Sequence, residues 1–327
     1  MSDAVSNNRN WILFADGAYT VTDGSIMTGN VSWAGGYSND FSQRNMPSQT
    51  IINVDSAGFT LENVIDRLQL QNLQLTNTNN ASSNQSSYVL KVLDATEIIL
   101  NAVDVTAFNG GNGSSGTVGL SGASGTDGSH GSNGFCTGGQ VFVGAPGLNN
   151  FCIGSGGGNG GLPGLGLSTG SDGQSSPGLG GTGGGGGGGP ADIDVLSGSF
   201  CGSWGGSGGS FAVVLNNSQL TMISSVLTTN EGGIGGNGGA GGLGGIGRPG
   251  GNGGSANENS GSGGNGGFGG AGGIGGGGSG GPSIGVVCIN NASVISINST
   301  INQGLGGAGG TPNGVTGLST DLHQCGA

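Results

Sequence analysis

The stretch FAVVLNNSQLTMISSVLTTNEGG, residues 211–233, carries the pattern that decides the fold of this chain. A short apolar run leads to the polar step Asn216-Asn217, then to a second apolar run, and finally to glycine. Two other stretches repeat this order, YVLKVLDATEIILNAVDVTAFNGG at 88–111 and IGVVCINNASVISINSTINQGLGG at 284–307. This is an internal repeat, and runs rich in β-branched residues between Asn, Ser and Gly predict strands.

The stretch IDRLQLQNLQLTN, residues 65–77, shows the same strand character earlier in the chain. Its apolar positions alternate with polar ones, with one polar step at Asn72, and they are Leu68, Leu70, Leu73 and Leu75. Short strands with polar corners are typical of a parallel β-helix, whose coils bury their apolar faces only by stacking. Asparagine suits such corners because it tolerates the left-handed backbone region. No segment carries the apolar stripe of a helix.

Glycine supplies 85 of the 327 residues, in blocks with a period of three. Residues 110–134 have glycine at every third position and no proline, which excludes the stiff collagen strand. The block GGIGGNGGAGGLGGIGRPGGNGGS at 232–255 is a GGX repeat, and a flexible linker has no reason to keep that period. We expect extended three-fold helices packed side by side, with the apolar X residues Ile234, Leu243, Ile246, Phe268 and Ile274 facing the β-helix or another layer.

The predicted fold class is therefore all-β, a right-handed parallel β-helix (solenoid) with an inserted glycine-rich, polyglycine-II helical layer. We expect a single β-solenoid domain over 1–327. Its predicted parts are an N-terminal capping or opening coil at 1–60, β-helix coils at 61–109, a glycine-rich insertion at 110–192, a coil at 193–231, a polyglycine-II type insertion at 232–281, a coil at 282–303 and a glycine-rich C-terminal tail at 304–327.

Charge and cysteine content narrow the class of function. The chain has five basic residues and a net charge of −12, so binding to nucleic acid phosphates or an anionic membrane is not expected. No run approaches the length of a membrane-spanning helix, and the start of the chain lacks the pattern of a signal peptide. The low lysine content and the Ser, Thr, Asn and Gly-rich composition nevertheless favour an extracellular or cell-surface location.

Five cysteines, Cys136, Cys152, Cys201, Cys288 and Cys325, leave two interpretations open. In an oxidising compartment, one or two disulfides would link loops. Cys288, within the apolar run GVVCIN, can equally be a buried free thiol. Their spacing does not suggest zinc, and we expect neither a metal site nor a cofactor.

The stretch GNVSWAGGYSNDFSQRN at 29–45, followed by TIINV, resembles the opening coil of glycine-rich right-handed β-helix proteins on the surfaces of bacteria such as myxobacteria. The GGX blocks are similar to mycobacterial PGRS domains, which, like certain phage tail-tip adhesins, are associated with polyglycine-II helix sandwiches. The resemblance implies a secreted or surface-displayed protein and identifies no catalytic residue.

Catalysis is the weaker hypothesis. Asp192 and Asp194 alternate on a predicted strand and could act as paired carboxylates, while Asp94, Glu97 and Asp104 are spread over one coil. The only histidines, His130 and His323, lack the sequence context of a triad. A β-helix polysaccharide lyase or hydrolase is therefore the enzymatic alternative to our prediction of no enzyme, and ice binding is disfavoured because the X residues are too mixed.

Aromatic side chains, rather than charged ones, are the residues that we expect to contact a partner. They are predicted to meet a cell-surface protein or glycan, and the surface contacts proposed are Trp33, Tyr37, Trp204 and Phe268. Trp33 and Phe41 can alternatively cap the open end of the β-helix. The predicted function is a non-enzymatic extracellular structural or adhesive protein, with self-association into fibres as one possibility and a receptor-binding phage tail adhesin as another alternative.

Overall fold

The computed structural model describes residues 10–21, 26–28, 30–45, 47, 50–55, 57–77, 80–116, 118, 207–240, 243 and 276–326. All elements in these residues are β-strands, and no helix occurs among them. They are β1 (Trp11–Ala15), β2 (Gly17–Val21), β3 (Ile26–Thr28), β4 (Ser32–Tyr37), β5 (Thr50–Val54), β6 (Phe59–Glu62), β7 (Arg67–Asn77), β8 (Ser87–Leu93), β9 (Glu97–Ala107), β10 (Ser210–Asn216), β11 (Gln219–Ile223), β12 (Val226–Thr229), β13 (Ser283–Ile289), β14 (Ser293–Ile297), β15 (Thr300–Asn302) and β16 (Ser319–His323).

The strands form two sheets in which every paired strand is parallel to its neighbour. The first sheet has the order β1-β4-β7-β9-β11-β14, with β2, β5, β12 and β15 attached beside this path. The second sheet has the order β3-β6-β8-β10-β13-β16. Each strand pairs with its equivalent in the next repeat, which confirms an all-β, parallel fold consistent with a β-solenoid-like class.

The longest strands, β7 and β9, bend where one residue adopts a left-handed conformation. In β7 this residue is Asn72, with φ of 53°, and in β9 it is Ala102, with φ of 52°. On either side of the bend in β7, Leu68 and Leu70, then Leu73 and Leu75, are buried in one core. The bend shifts the alternation by one residue, so both halves of the strand present leucine to the core. This confirms the predicted strand and its polar step.

The corners between the two sheets also carry left-handed residues, as the sequence predicts. Asp94, Asn217 and Asn290 have φ of 49°, 47° and 43°. They form a ladder in which Asn217 Nδ2 donates to Asp94 Oδ1 at 2.9 Å. At the next step, Asn290 Nδ2 donates to Asn216 Oδ1 at 2.8 Å. Short polar side chains therefore satisfy one another where the chain turns.

The central strands of the second sheet, β8, β10 and β13, are buried on both faces. In β10, Val213 packs into the main core, whereas its neighbour Val214 packs into a second cluster on the other face. That second cluster includes the stacked rings of Tyr88 and Phe211, whose centroids lie 5.2 Å apart. A strand that is buried on both faces has an almost continuous apolar sequence. This explains the apolar stretches YVLKVL, FAVVL and IGVVCI.

Trp33 lies inside the main core, and its predicted role as a surface contact is wrong. The side chain is 2% exposed. Its ring stacks on Phe59, with centroids 5.7 Å apart and planes 12° apart, and it contacts Phe14 at 5.3 Å. Trp33 lies on the face of β4 that points to the core. Burial of so large an apolar ring stabilises the fold more than its exposure would.

Cys288 of β13 forms a disulfide with Cys325, which follows β16. The alternative of a buried free thiol at Cys288 is therefore wrong. Cys288 is buried within the main core and Cys325 packs against it, so the bond ties the end of the described chain to the sheets. The strand β16 itself lies within the segment 304–327, for which we predicted a glycine-rich C-terminal tail. The other three cysteines lie outside the described residues.

Candidate functional site

Glycine-rich segments leave the sheets at one edge and return to it. Three outgoing segments, 109–116, 231–238 and 304–311, follow strands β9, β12 and β15. Three returning segments, 207–209, 276–282 and 312–318, lead into strands β10, β13 and β16. The returning segments enter at the register-matched serines Ser210, Ser283 and Ser319. Ser283 Oγ donates to the carbonyl oxygen of Asn230 and Ser319 Oγ to that of Gly304, both at 2.7 Å.

Backbone hydrogen bonds join the outgoing segments at every third residue. From the first segment to the second, the donors and acceptors are Gly110 to Glu231 at 3.0 Å, Gly113 to Ile234 at 2.7 Å and Gly116 to Asn237 at 2.7 Å. From the second to the third, they are Gly232 to Leu305 at 3.0 Å, Gly235 to Ala308 at 2.8 Å and Gly238 to Thr311 at 2.8 Å. Residue numbers rise together on both sides, so the outgoing segments are parallel.

The returning segments bond to the outgoing ones in the opposite direction. Gly281 donates to Gly233 and Gly278 to Gly236, each at 2.8 Å. In the same way, Gly307 donates to Gly281 and Gly310 to Gly278, each at 2.8 Å. The two sets of segments therefore form two antiparallel layers in direct backbone contact, and their amides are satisfied without a sheet ladder.

The close approach of the two layers requires glycine. A Cβ atom at Gly235 would overlap with the carbonyl oxygen of Gly278, and one at Gly232 would overlap with that of Gly281. In the triplets 232–234 and 235–237 the two glycines are buried or nearly so, and the third residue is exposed. The period of three thus gives each segment two edges. The contact edge consists of the buried glycines, and the outer edge consists of the exposed X residues.

The apolar X residues lie on the outer edge, so the prediction that they face the sheets or another layer is wrong for those described. Ile234 is 53% exposed and Leu243 is 76% exposed. The physical reason is that only glycine fits between the backbones, which leaves the X side chains pointing to solvent. Ile246, Phe268 and Ile274 lie outside the described residues.

Asparagine side chains on the outer edge bond to the X residues of the neighbouring segment, which sequence reasoning missed. Asn109 Oδ1 accepts the N–H of Glu231 at 3.0 Å, and Asn112 Oδ1 accepts that of Ile234 at 2.8 Å. Asn237 Oδ1 accepts the N–H of Thr311 at 2.9 Å. In these three places the Asn side chain supplies an acceptor for the amide of an X residue. The recurrence of Asn at X positions is the signal that could have revealed them.

The structure describes two of the four aromatic residues proposed as contacts, Trp33 and Tyr37. Trp33 is buried, and both Trp204 and Phe268 lie outside the described residues. Tyr37 ends β4, half-buried, with Arg44 Cζ 5.2 Å from its ring centroid. The Phe41 ring lies 5.9 Å from Tyr37 and is 48% exposed. Phe41 is thus the exposed aromatic side chain at this corner.

The loop 38–45, here called the Phe41 loop, is held by a dense set of hydrogen bonds. The N–H of Phe41 donates to Ser38 O at 2.8 Å, and that of Ser38 donates to Gln43 O at 3.0 Å. Asp40 Oδ1 accepts from Ser38 Oγ at 2.6 Å, from Ser42 Oγ at 2.8 Å and from Ser42 N at 3.1 Å. These bonds, first those from Ser38 and then those from Ser42, lower the pKa of Asp40 to about 2.

The described carboxylates that were considered for catalysis, Asp94, Glu97 and Asp104, have different surroundings. Asp94 bonds to Asn217 at a corner, and Glu97 accepts from Arg67 Nε at 2.7 Å on the first sheet. Asp104 lines a groove of 410 Å³ with Asn72 and Gln74, and burial raises its pKa. Burial lowers the pKa of His323 on β16. Within the described ranges no group of three His, Cys, Asp or Glu residues could hold a metal ion, and Asp192, Asp194 and His130 lie outside them.

Comparisons with protein-family models, with curated protein sequences and with solved structures found no match to this chain. No helix in the part of the chain that the structure describes is long and apolar enough to cross a membrane. What the described residues define is an all-β protein of parallel strands with hydrogen-bonded glycine segments along one edge.

Proposed function

We propose that this chain is a non-enzymatic extracellular structural or adhesive protein, built as a right-handed parallel β-helix that carries and displays a polyglycine-II layer. The observation that carries the proposal is the three-residue ladder from Gly110, Gly113 and Gly116 to the next outgoing segment. A polyglycine-II helix has about three residues per turn, so one edge of each segment meets the same neighbour at every turn.

Rigidity is the property that supports a structural role. Ordering glycine is entropically unfavourable, and each glycine segment that the structure describes is bonded to two or more neighbours that the strands hold in register. Such a layer presents regularly spaced side chains at a distance from the sheets. Its described outer edge is almost uncharged, with Ile234, Asn237, Leu305, Ala308 and Thr311 among the exposed positions. A surface of this kind suits contact with another surface better than chemistry.

An extracellular location is supported by the disulfide between Cys288 and Cys325, because such bonds persist in oxidising compartments. The resemblance of the opening stretch and the GGX blocks to bacterial surface proteins points the same way. We therefore propose that the protein acts outside the cell or on the cell surface, with a cell-surface protein or glycan as its partner.

Two assays on the full chain test this function against the enzymatic alternative. Beads coated with the protein should be retained on a mucin-coated surface under flow more than albumin-coated beads. Incubation with polygalacturonate or alginate and calcium should release no unsaturated oligosaccharide. Release of such products, or bead retention equal to that of albumin, would contradict the proposal.

Self-association into fibres has a specific observation in its favour. Among the described strands, β1 pairs with β4 alone, and β14 pairs with β11 alone apart from one bridge between Ser293 and Gly326. Residues of these edge strands that point away from the core are between 41% and 45% exposed, namely Trp11, Leu13, Ile295 and Ile297. The register runs through the sheet from Leu13 to Ile297, so two copies stacked in register would bring these apolar residues together.

Sedimentation velocity over a range of protein concentrations tests the stacking. We expect species that grow with concentration, and we expect Ile297→Lys to abolish them because it places a charge between the stacked edges. The matched control is Ile65→Lys, which charges an equally apolar residue that is 75% exposed and lies outside any strand. A monomer at all concentrations, or equal loss in both variants, would contradict self-association.

A further inference from the structure

The Phe41 loop presents an aromatic ring and a carboxylate side by side on successive residues. Asp40 and Phe41 are both exposed, and the ring of Phe41 leans on Tyr37 with the planes 36° apart. Tyr37 is in turn covered by the guanidinium of Arg44, whose Nε donates to Gly35 O at 3.0 Å and whose Nη1 donates to Gln71 Oε1 at 3.0 Å. The exposed ring therefore rests on a stack that is anchored to β4 and β7.

Phe41 is held in a conformation that bulky residues avoid. Its φ is 58°, in the left-handed region where glycine or asparagine is the usual residue. The other left-handed residues of the described corners are mostly Asn, as at Asn63, Asn72 and Asn217. A phenylalanine that is strained and about half exposed gains little from folding, and residues kept in such conformations cluster at binding sites.

Asp40 is arranged to accept further hydrogen bonds. All three bonds from Ser38 and Ser42 go to Oδ1, and Oδ2 takes no part in them. Because those bonds stabilise the ionised carboxylate, Oδ2 stays a charged acceptor at any physiological pH. Hydrogen bonds to an ionised acceptor are about twice as strong as those between neutral groups.

We propose that Phe41 and Asp40 form a binding site for an uncharged pyranose sugar of a surface glycan. The apolar C–H face of a pyranose fits an exposed aromatic ring, and its hydroxyl groups are the donors that a carboxylate oxygen beside the ring requires. An acidic sugar is disfavoured by Asp40 and by the net charge of −12. This inference rests on the proposed adhesive function and names the chemistry of its partner.

The test uses the full chain and a panel of neutral oligosaccharides: cellotriose, maltotriose, mannotriose and chitotriose. Binding is read by saturation-transfer NMR and by isothermal titration calorimetry. Phe41→Gly removes the ring and at the same time suits the positive φ, so it should fold at least as well as the parent. The matched control is Ile65→Ala, which removes an apolar side chain that is 75% exposed, lies outside any strand and takes no part in the stacked edges.

We expect at least one sugar to bind, with transfer of saturation to its ring C–H protons. Phe41→Gly should weaken the affinity by about tenfold, which is the size of a lost aromatic contact. Asp40→Asn should weaken it by about fivefold because the acceptor becomes neutral. Ile65→Ala should leave the affinity unchanged.

Several outcomes would overturn this site. They are no binding to any sugar of the panel, binding that Phe41→Gly leaves intact, or an equal loss in Phe41→Gly and Ile65→Ala. Binding of the intact loop to a protein partner but to no sugar would also overturn it. Proteolysis of the glycine segments is measured in parallel. A layer that resists the protease while no sugar binds refutes the sugar site alone, whereas a layer that is cleaved throughout refutes the proposed function as well.

Discussion

The backbone N–H of Gly235 donates to the carbonyl oxygen of Ala308 at 2.8 Å, and neither residue belongs to a strand. This bond repeats three residues earlier, at Gly232, and three residues later, at Gly238. Glycine-rich segments have few side chains to bury. These bonds show that main-chain contacts between neighbouring segments order them instead. The strands β12 and β15 set the register, because they start the two segments from paired positions.

Gly235→Ala should destabilise the protein because its Cβ would overlap with the carbonyl oxygen of Gly278. We expect a loss of about 1–3 kcal/mol in the free energy of unfolding, as for an overpacked interior. Ile234→Ala, one residue earlier on the exposed edge, should change it by less than about 0.5 kcal/mol. Urea denaturation followed by circular dichroism measures both. Equal effects in the two variants would mean that the layers are not in contact.

Ala102→Gly should stabilise the protein. Ala102 occupies the bend of β9 with φ of 52°, where a Cβ is unfavourable and where β7 has Asn72. Removing that penalty should add about 0.5–1 kcal/mol to the free energy of unfolding. Ala107→Gly, in the same strand but buried and without a positive φ, should instead destabilise. If thermal melting shifts downward in Ala102→Gly, the role assigned to the bend is incorrect.

Cys325→Ala should lower stability under oxidising conditions, because it removes the disulfide to Cys288. A loss of about 2–4 kcal/mol is typical for such a bond. Thermal melting of the parent protein and of Cys325→Ala measures the effect. As a control, both proteins are melted in reducing buffer, where the difference between their melting temperatures should become small. A difference of the same size with and without reductant would assign the effect to packing of Cys325 rather than to the bond.

Acid should loosen the Phe41 loop between about pH 4 and pH 2. The pKa of Asp40 is lowered from its ordinary value of 3.8 to about 2 by the bonds from Ser38 and Ser42. A carboxylate with a lowered pKa stabilises the folded loop above its ordinary pKa, and this contribution disappears as the pH falls through the folded value. The amide shift of Ser42, followed by NMR, should titrate with a midpoint near 2, and Asp40→Asn should abolish the transition. A midpoint at 3.8 would contradict the bonding described.

The repeat and its corners could be predicted because local chemistry determines them. Leu68, Leu70, Leu73 and Leu75 alternate as a half-buried strand does, and the Asn corners match the left-handed conformation that each turn needs. The period of three in the glycine blocks likewise indicated segments in lateral contact.

The burial of individual side chains and the position of the last strand depend on contacts between segments that are distant in the sequence. Local sequence patterns do not reveal such contacts. The burial of Trp33 depends on Phe14 and Phe59 from neighbouring repeats, and the outward direction of Ile234 depends on the returning glycine segment behind it. The strand β16 was missed because STDLH is short, polar and largely exposed, and only its pairing with β13 identifies it.

Amide hydrogen exchange, measured residue by residue by NMR on the intact protein, tests the ordered glycine layer most directly. We expect the donors of the outgoing segments to be protected, namely Gly110, Gly113, Gly116, Gly232, Gly235 and Gly238. Their protection should approach that of the amides in β9 and β12. Exchange of these glycines at the rate of an unstructured peptide, with the strands still protected, would contradict the layer and leave only the parallel sheets.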